Sequence, residues 1–250
     1  MYNNILTIGS FTIYGYGLMI GIGLLVGLAL SNMRAKARGL DTKIIDGIFF
    51  TAIICGFLGA KLFFIVIEMD DPFSDPMKML SGSGFVVYGG IICGILACMI
   101  YCKVAKVHFL TYFDIIMPAV ALIQGFGRLG CFLAGCCYGL PTNSIFGIAF
   151  HNSEIAPNNI KLIPTQLFSS AGDFLIAFIL IIYAKKERTA GKVAALYMIL
   201  YSVGRFGIEF FRGDLRGNVG VLSSSQFISL IVFCVGVVMY IFLKKRERAS

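Results

Sequence analysis

Four cations stand inside otherwise apolar runs of this chain: Lys61, Arg128, Arg205 and Arg212. A charge at membrane depth is costly, so each is a candidate for chemistry. On a helix of 3.6 residues per turn, Tyr201, Arg205, Glu209 and Arg212 fall within about 80° of one another. Tyr197 shares that face. One carboxylate, Glu209, neutralises one arginine and leaves others over. Guanidinium groups clustered at a membrane interface suit phosphate, which they grip bidentately. A phospholipid headgroup is the phosphate found at that depth. The competing reading is structural: Glu209 neutralises Arg205 and the remaining cations snorkel to the interface.

Arg128 sits in a run that holds Gly125, Gly127, Gly130, Gly135 and Gly139. Gly125-x-Gly127-x-x-Gly130 has the form of a dinucleotide fingerprint, but no strand precedes it and it lies in an apolar span. So many glycines around an arginine exceed what close helix packing needs. They predict irregular backbone lining a cavity. Tyr88-Gly89-Gly90 marks a neighbouring span, so Tyr88, Arg128 and Arg205 are expected at one membrane depth on three helices. Three cysteines follow Arg128: Cys131, Cys136 and Cys137. Their C-x4-C-C spacing matches no zinc pattern, and none is expected to bind metal. They serve as small residues at a tight turn, as a nucleophile with a lowered pKa, or as a redox pair. Cys55, Cys93, Cys98, Cys102 and Cys234 lie in apolar runs and read as small hydrophobes.

The elements that must position these residues are set by composition. The 250 residues are 58% apolar and only 14% charged, with a mean hydropathy of +0.87. A soluble domain is roughly 45–50% apolar and about 25% charged, so a cytosolic enzyme and a disordered chain are excluded. The apolar residues come in blocks of about 20, the length that crosses a bilayer. The expected fold is all-α: a single polytopic membrane domain over 1–250, with about seven transmembrane helices and a small outer-face cap. The spans run from about Phe11 to Leu30, Ile44 to Ile67, Phe85 to Tyr101, Leu110 to Gly127, Leu162 to Tyr183, Val193 to Phe211 and Leu222 to Leu243. Asp70, Asp71, Pro72 and Pro76 end the second. Tyr138–Lys161 supplies the cap.

A net charge of +8 would otherwise suggest nucleic acid. Fourteen of the 21 Lys and Arg fall in four short clusters between spans, at 34–43, 103–106, 185–192 and 244–248. The opposite loops carry only Lys78, Lys161 and Arg216. That asymmetry is the positive-inside pattern, and it predicts an external N-terminus and a cytoplasmic Ser250. Met1–Ser10 lacks the features of a cleaved signal peptide.

These residues also carry a resemblance. Gly127-Arg128-Leu129-Gly130-x-Phe132-x-x-Gly135-x-x-x-Gly139 resembles the signature of the prolipoprotein diacylglyceryl transferase family, G-R-x-G-N-F-x-N-G-E-x-x-G. The likeness continues in Tyr16-Gly17-Leu18, Gly59-Ala60-Lys61, Tyr88-Gly89-Gly90, Asp114-x-x-x-Pro118 and Pro164-Thr165-Gln166-Leu167. Arg205-x-x-x-Glu209-Phe210-Phe211-Arg212 matches the family's R-x-x-x-E-F-F-R. The resemblance implies a transferase of the bacterial cytoplasmic membrane that moves the diacylglyceryl group of phosphatidylglycerol to the cysteine of a lipoprotein precursor. Glycerol phosphate is released, and no metal or nucleotide cofactor is implied. It places Arg128, Arg205, Arg212, Tyr16, Gly89, Gly90 and Gln166 at the phospholipid, with Arg205 and Glu209 also in the catalytic set.

The chain departs from the family where acid–base chemistry would sit. Tyr88 replaces the usual histidine, Cys131 the asparagine, Cys136 the glutamate, and Ile163 stands for the histidine before the Pro-Ser-Gln-Leu motif. Neither histidine is placed to substitute: His108 lies at the expected cytoplasmic start of the fourth span and His151 in the outer loop. Cys136, beside Arg128, is the expected thiolate, with Tyr88 as the second candidate. Three other functions compete: a paralogue with another acceptor, a protein that only binds or moves a lipid or anion, and a membrane thiol oxidoreductase.

Overall fold

The computed structural model describes residues 4–8, 11–68, 84–214 and 217–249. Met1, Asp70, Asp71, Pro72, Pro76, Lys78, Arg216 and Ser250, used above, lie outside them. The elements in order are β1 (Asn4–Ile8), β2 (Phe11–Tyr14), α1 (Gly15–Ala37), α2 (Thr42–Glu68), α3 (Val87–Val104) and α4 (Phe109–Ala134). Then come β3 (Ile148–Ala149), β4 (Lys161–Leu162), α5 (Thr165–Tyr183), α6 (Lys192–Glu209), β5 (Asn218–Val219), β6 (Leu222–Ser223) and α7 (Ser224–Ala249). Each pair of strands is antiparallel.

Seven helices fit the expected all-α membrane fold, and among the described residues six of them are long and apolar enough to cross a bilayer. The other is α6, where Lys192, Arg205 and Glu209 interrupt 18 residues. Two boundaries differ from the sequence reading. Phe11–Tyr14 does not begin the first helix but pairs with β1, with Thr7 opposite Thr12; its β-branched and aromatic residues read equally as strand. The fourth helix does not stop at Gly127 but continues to Ala134, so Gly125, Gly127 and Gly130 are helical rather than irregular.

The chain divides into two compact units, 32–112 and 1–31 with 113–250. In the first, α2 and α3 meet through small residues. A Cβ on Gly90 would stand 2.8 Å from the Gly56 carbonyl oxygen, and one on Gly89 would meet the Phe63 ring at 2.4 Å. Ala60 accepts the Val86 amide at 3.0 Å. Gly89 and Gly90 are thus taken up in this helix crossing. Lys61 Nζ lies 5.1 Å from both the Phe64 and Phe85 ring centroids.

The second unit has its core where Met117 and Ala121 of α4 meet Ile176, Ala177 and Leu180 of α5 and Val193 and Ala194 of α6. Asp114, only 3% exposed, accepts the amides of Gly191 at 2.8 Å and Ala194 at 2.9 Å. Those are the orphan donors at the start of α6, so the Asp114-x-x-x-Pro118 motif is a helix anchor. The cap holds its own core of Phe150, Ala156 and Leu162, closed by Phe132 and Tyr138. Its outer edge is stitched to the end of α6: Leu140 donates to the Phe211 carbonyl, and Gly213 donates to that of Tyr138.

Candidate active site

Within the second unit, Arg128 of α4, Asp173 of α5 and Tyr201 and Arg205 of α6 line a cavity of about 160 Å³. Phe168, Ile176, Ile208 and Phe211 make its apolar walls. The two arginines predicted at one depth are therefore brought together. Their commitments differ. Arg205 pairs with Glu209 at 2.8 Å, and its Nη2 donates to Ser225 Oγ at 2.8 Å. Both partners of the ion pair are nearly buried, and breaking such a pair is costly. Arg128 makes no ion pair among the described residues and lines the cavity within electrostatic reach of Tyr201 and Asp173.

Arg212 does not extend the α6 stripe, because that helix ends at Glu209. It bridges to Gly139 and donates twice to Asp214, at 2.9 and 2.8 Å. Of the three arginines expected to grip an anion, Arg205 and Arg212 are held by carboxylates, and Arg128 and Arg205 line the cavity. Tyr197 is tied to α4 through Gln124, at 2.8 Å, and stacks on Tyr201 with ring centroids 5.6 Å apart. Asp173 was overlooked in the sequence. It is 6% exposed and stands in the middle of an apolar run; a search for acids in spans, as well as cations, finds it.

The end of α4 arranges the cysteines. Gly135 has φ +76°, its amide donates to Phe132 O at 3.2 Å, and the Cys136 amide donates to Cys131 O at 3.1 Å. That is the Schellman arrangement, which folds the second residue past the helix back over the last turn. An apolar contact usually fills this position; here it is sulfur over sulfur. Cys137, at φ +61°, turns its side chain back as well. Thr165 Oγ1 donates to the Cys137 carbonyl and Gln166 Nε2 to that of Cys136, each at 2.8 Å. The three Sγ atoms consequently lie within 4.8 Å of one another, a convergence that the C-x4-C-C spacing conceals. Gln166, 1% exposed, is spent on holding this turn.

Thiol hydrogen bonds from Cys131 and Cys136, aided by the Arg212 guanidinium, pull the Cys137 thiol well below its ordinary range. The same sulfur contacts, with Cys131 and Cys137, push Cys136 up. Cys136 is the wall of a second cavity of about 440 Å³, shared with Tyr14, Tyr16, Gly17 and Ala134. Tyr16 also packs its backbone against Gly130. Tyr88 stands half-exposed in the first turn of α3, in the other unit.

A family model described as prolipoprotein diacylglyceryl transferase matches residues 3–242 of this chain. A phosphatidylglycerol–prolipoprotein diacylglyceryl transferase of Clostridium tetani (strain Massachusetts / E88) is 48% identical over 230 residues, 91% of this chain and 92% of the relative. One from Clostridium perfringens (strain 13 / Type A) is 42% identical over 238 residues, covering 94% and 93% of the two chains. A third, from Finegoldia magna (strain ATCC 29328 / DSM 20472 / WAL 2508), is 34% identical over 246 residues, 95% and 96%.

Proposed function

Since this chain belongs to the prolipoprotein diacylglyceryl transferase family, we propose that it moves the diacylglyceryl group of phosphatidylglycerol to the cysteine thiol of a lipoprotein precursor. It is a multi-pass membrane transferase, and we place it in the bacterial cytoplasmic membrane with its N-terminus outside. The observation that carries the reading is a cavity that brings two arginines from different helices, Arg128 and Arg205, together with Asp173 and Tyr201 among the apolar walls of Phe168, Ile176, Ile208 and Phe211.

The reaction forms a sulfur–carbon bond at the glycerol carbon and breaks the bond from that carbon to phosphate oxygen. Charge develops on the departing phosphate, so a fixed cation in a site of low dielectric lowers the barrier. Arg128 takes that role. Arg205, held by Glu209 and Ser225, keeps the opposite wall positive and positions α6. Asp173 offsets part of this charge, which lets product phosphate leave. Tyr16 borders the second cavity, where the acceptor peptide enters. Tyr88, Gly89 and Gly90 shape the other unit, and Arg212 with Asp214 braces the mouth of α6.

The test is glycerol phosphate release from headgroup-labelled phosphatidylglycerol by the purified protein in mixed micelles. Release is expected only when a peptide carrying a lipobox cysteine is added. Release without acceptor, or none with it, rejects the reading. A mere lipid-binding role would give binding without release.

A further inference from the structure

Transfer to a thiol requires that the thiol lose its proton, because the thiolate is the nucleophile. The positions where the resemblance leads one to expect histidine and glutamate hold Tyr88 and Cys136 here, so neither position supplies the usual proton acceptor. The structure instead gathers three sulfurs at that place.

Cys131, Cys136 and Cys137 have Sγ atoms within 4.8 Å of one another. A zinc ion bound at about 2.3 Å by three thiolates sets its sulfurs roughly 4 Å apart, so side-chain rotation of under an ångström closes the set. A disulfide demands about 2.0 Å and a specific dihedral, a larger change at a turn already fixed by the Gly135 amide and by Thr165 and Gln166. Soft thiolate donors select ions such as Zn2+. Three thiolates around a divalent ion leave one net negative charge. Arg212 faces the Cys137 sulfur and Arg128 lies near Cys131 and Cys137, so that charge is balanced. Cys136 opens onto the cavity shared with Tyr14 and Tyr16, which leaves room for one more ligand. Three protein ligands with a vacant position are the arrangement of catalytic rather than structural zinc.

We propose that Cys131, Cys136 and Cys137 bind a thiophilic divalent cation, Zn2+, and that its open position takes the acceptor cysteine thiol. This rests on the transferase reading above. A thiol bound to such an ion is deprotonated outright. The bound sulfur attacks the glycerol carbon as the carbon–oxygen bond to phosphate breaks. The electron pair leaves with the phosphate oxygen, and the proton shed by the thiol passes to that phosphate group. Nothing is oxidised or reduced. The thioether product is a weaker ligand and departs. The metal so replaces the missing acid–base residues, while Arg128, within electrostatic reach of Cys131 and Cys137, stabilises the leaving group.

The experiment uses the full chain in detergent, reduced and stripped of metal with a chelator. Co2+ is added as the spectroscopic probe and Zn2+ then displaces it. One equivalent of Co2+ is expected to produce a thiolate-to-cobalt charge-transfer band that Zn2+ abolishes. Cys131→Ser and Cys137→Ser should each weaken binding by about tenfold or more, Cys137→His should restore it in part, and Cys234→Ser should leave it unchanged. Absence of the band in the reduced parent protein, or an equal band in both serine variants, overturns the site. Peptide diacylglyceryl transfer is followed in parallel. Full-rate transfer by metal-free protein rejects the metal's role and leaves the family activity standing. One bound ion without any transfer supports the site and rejects the transferase reading.

Discussion

At the scale of single residues, the arginines of the second unit differ in what they are free to do. Arg128 lines the cavity with no ion pair among the described residues, whereas Arg205 is fixed by Glu209 and Ser225 and Arg212 by Asp214. Arg128→Lys keeps the charge but loses the planar fork, at a cost of roughly 1–3 kcal/mol. Its kcat/KM for phosphatidylglycerol should fall by about tenfold or more, with the melting temperature unchanged. Arg205→Lys should act differently. It gives up the Ser225 hydrogen bond, worth about 1 kcal/mol, and should lower the melting temperature measured in detergent. Equal donor kinetics in parent and Arg128→Lys proteins would show that the guanidinium is not a ligand. The sequence disclosed both arginines because charge inside an apolar run stands out. It did not disclose their pairing, which depends on where α6 ends and where α7 brings Ser225.

At the scale of elements, small residues and caps decide the geometry. Gly90 lets α3 approach the Gly56 carbonyl, where a Cβ would sit at 2.8 Å. Gly90→Val should therefore cost about 1–3 kcal/mol by overpacking, seen as a lowered melting temperature and reduced yield of folded protein. Asp114→Ala strips the acceptor from the amides of Gly191 and Ala194. A loss of about 1–3 kcal/mol is expected, with transfer per folded molecule preserved; lost transfer in fully folded protein would give Asp114 a direct role instead. The helices were legible in sequence because 20-residue apolar blocks admit one solution in a bilayer. Phe11–Tyr14 was not, since a short apolar run fits strand and helix alike. The glycine run misled because glycine in a membrane helix serves close approach more often than irregularity. Gly130 meets the Tyr16 backbone and Gly125 meets Phe174, both within a continuous α4. The cysteine cluster was concealed for a related reason. Cys131 and Cys136 are neighbours only because Gly135 closes a Schellman turn, and that turn was readable from the glycine had the helix been carried to Ala134.

At the scale of the whole molecule, membrane orientation follows from charge. Basic residues outnumber those in the opposite loops by fourteen to three, so the N-terminus is expected outside. Asn3→Cys in intact cells should react with a membrane-impermeant maleimide, and Ser250→Cys only after lysis; the reverse pattern would invert the topology. Orientation matters because an external N-terminus would put Arg128, the end of α4 and the cap on the outer side, where the proposed reaction would meet its acceptor. The most direct test of the central claim is the mass of the acceptor. Purified protein is incubated with phosphatidylglycerol and a lipobox peptide, and the peptide is analysed by mass spectrometry. The account predicts a cysteine heavier by one diacylglyceryl group with the parent protein, and an unmodified peptide with Arg128→Ala that retains the parent's helical content. An unmodified peptide with the folded parent protein, or full modification by Arg128→Ala, would contradict it.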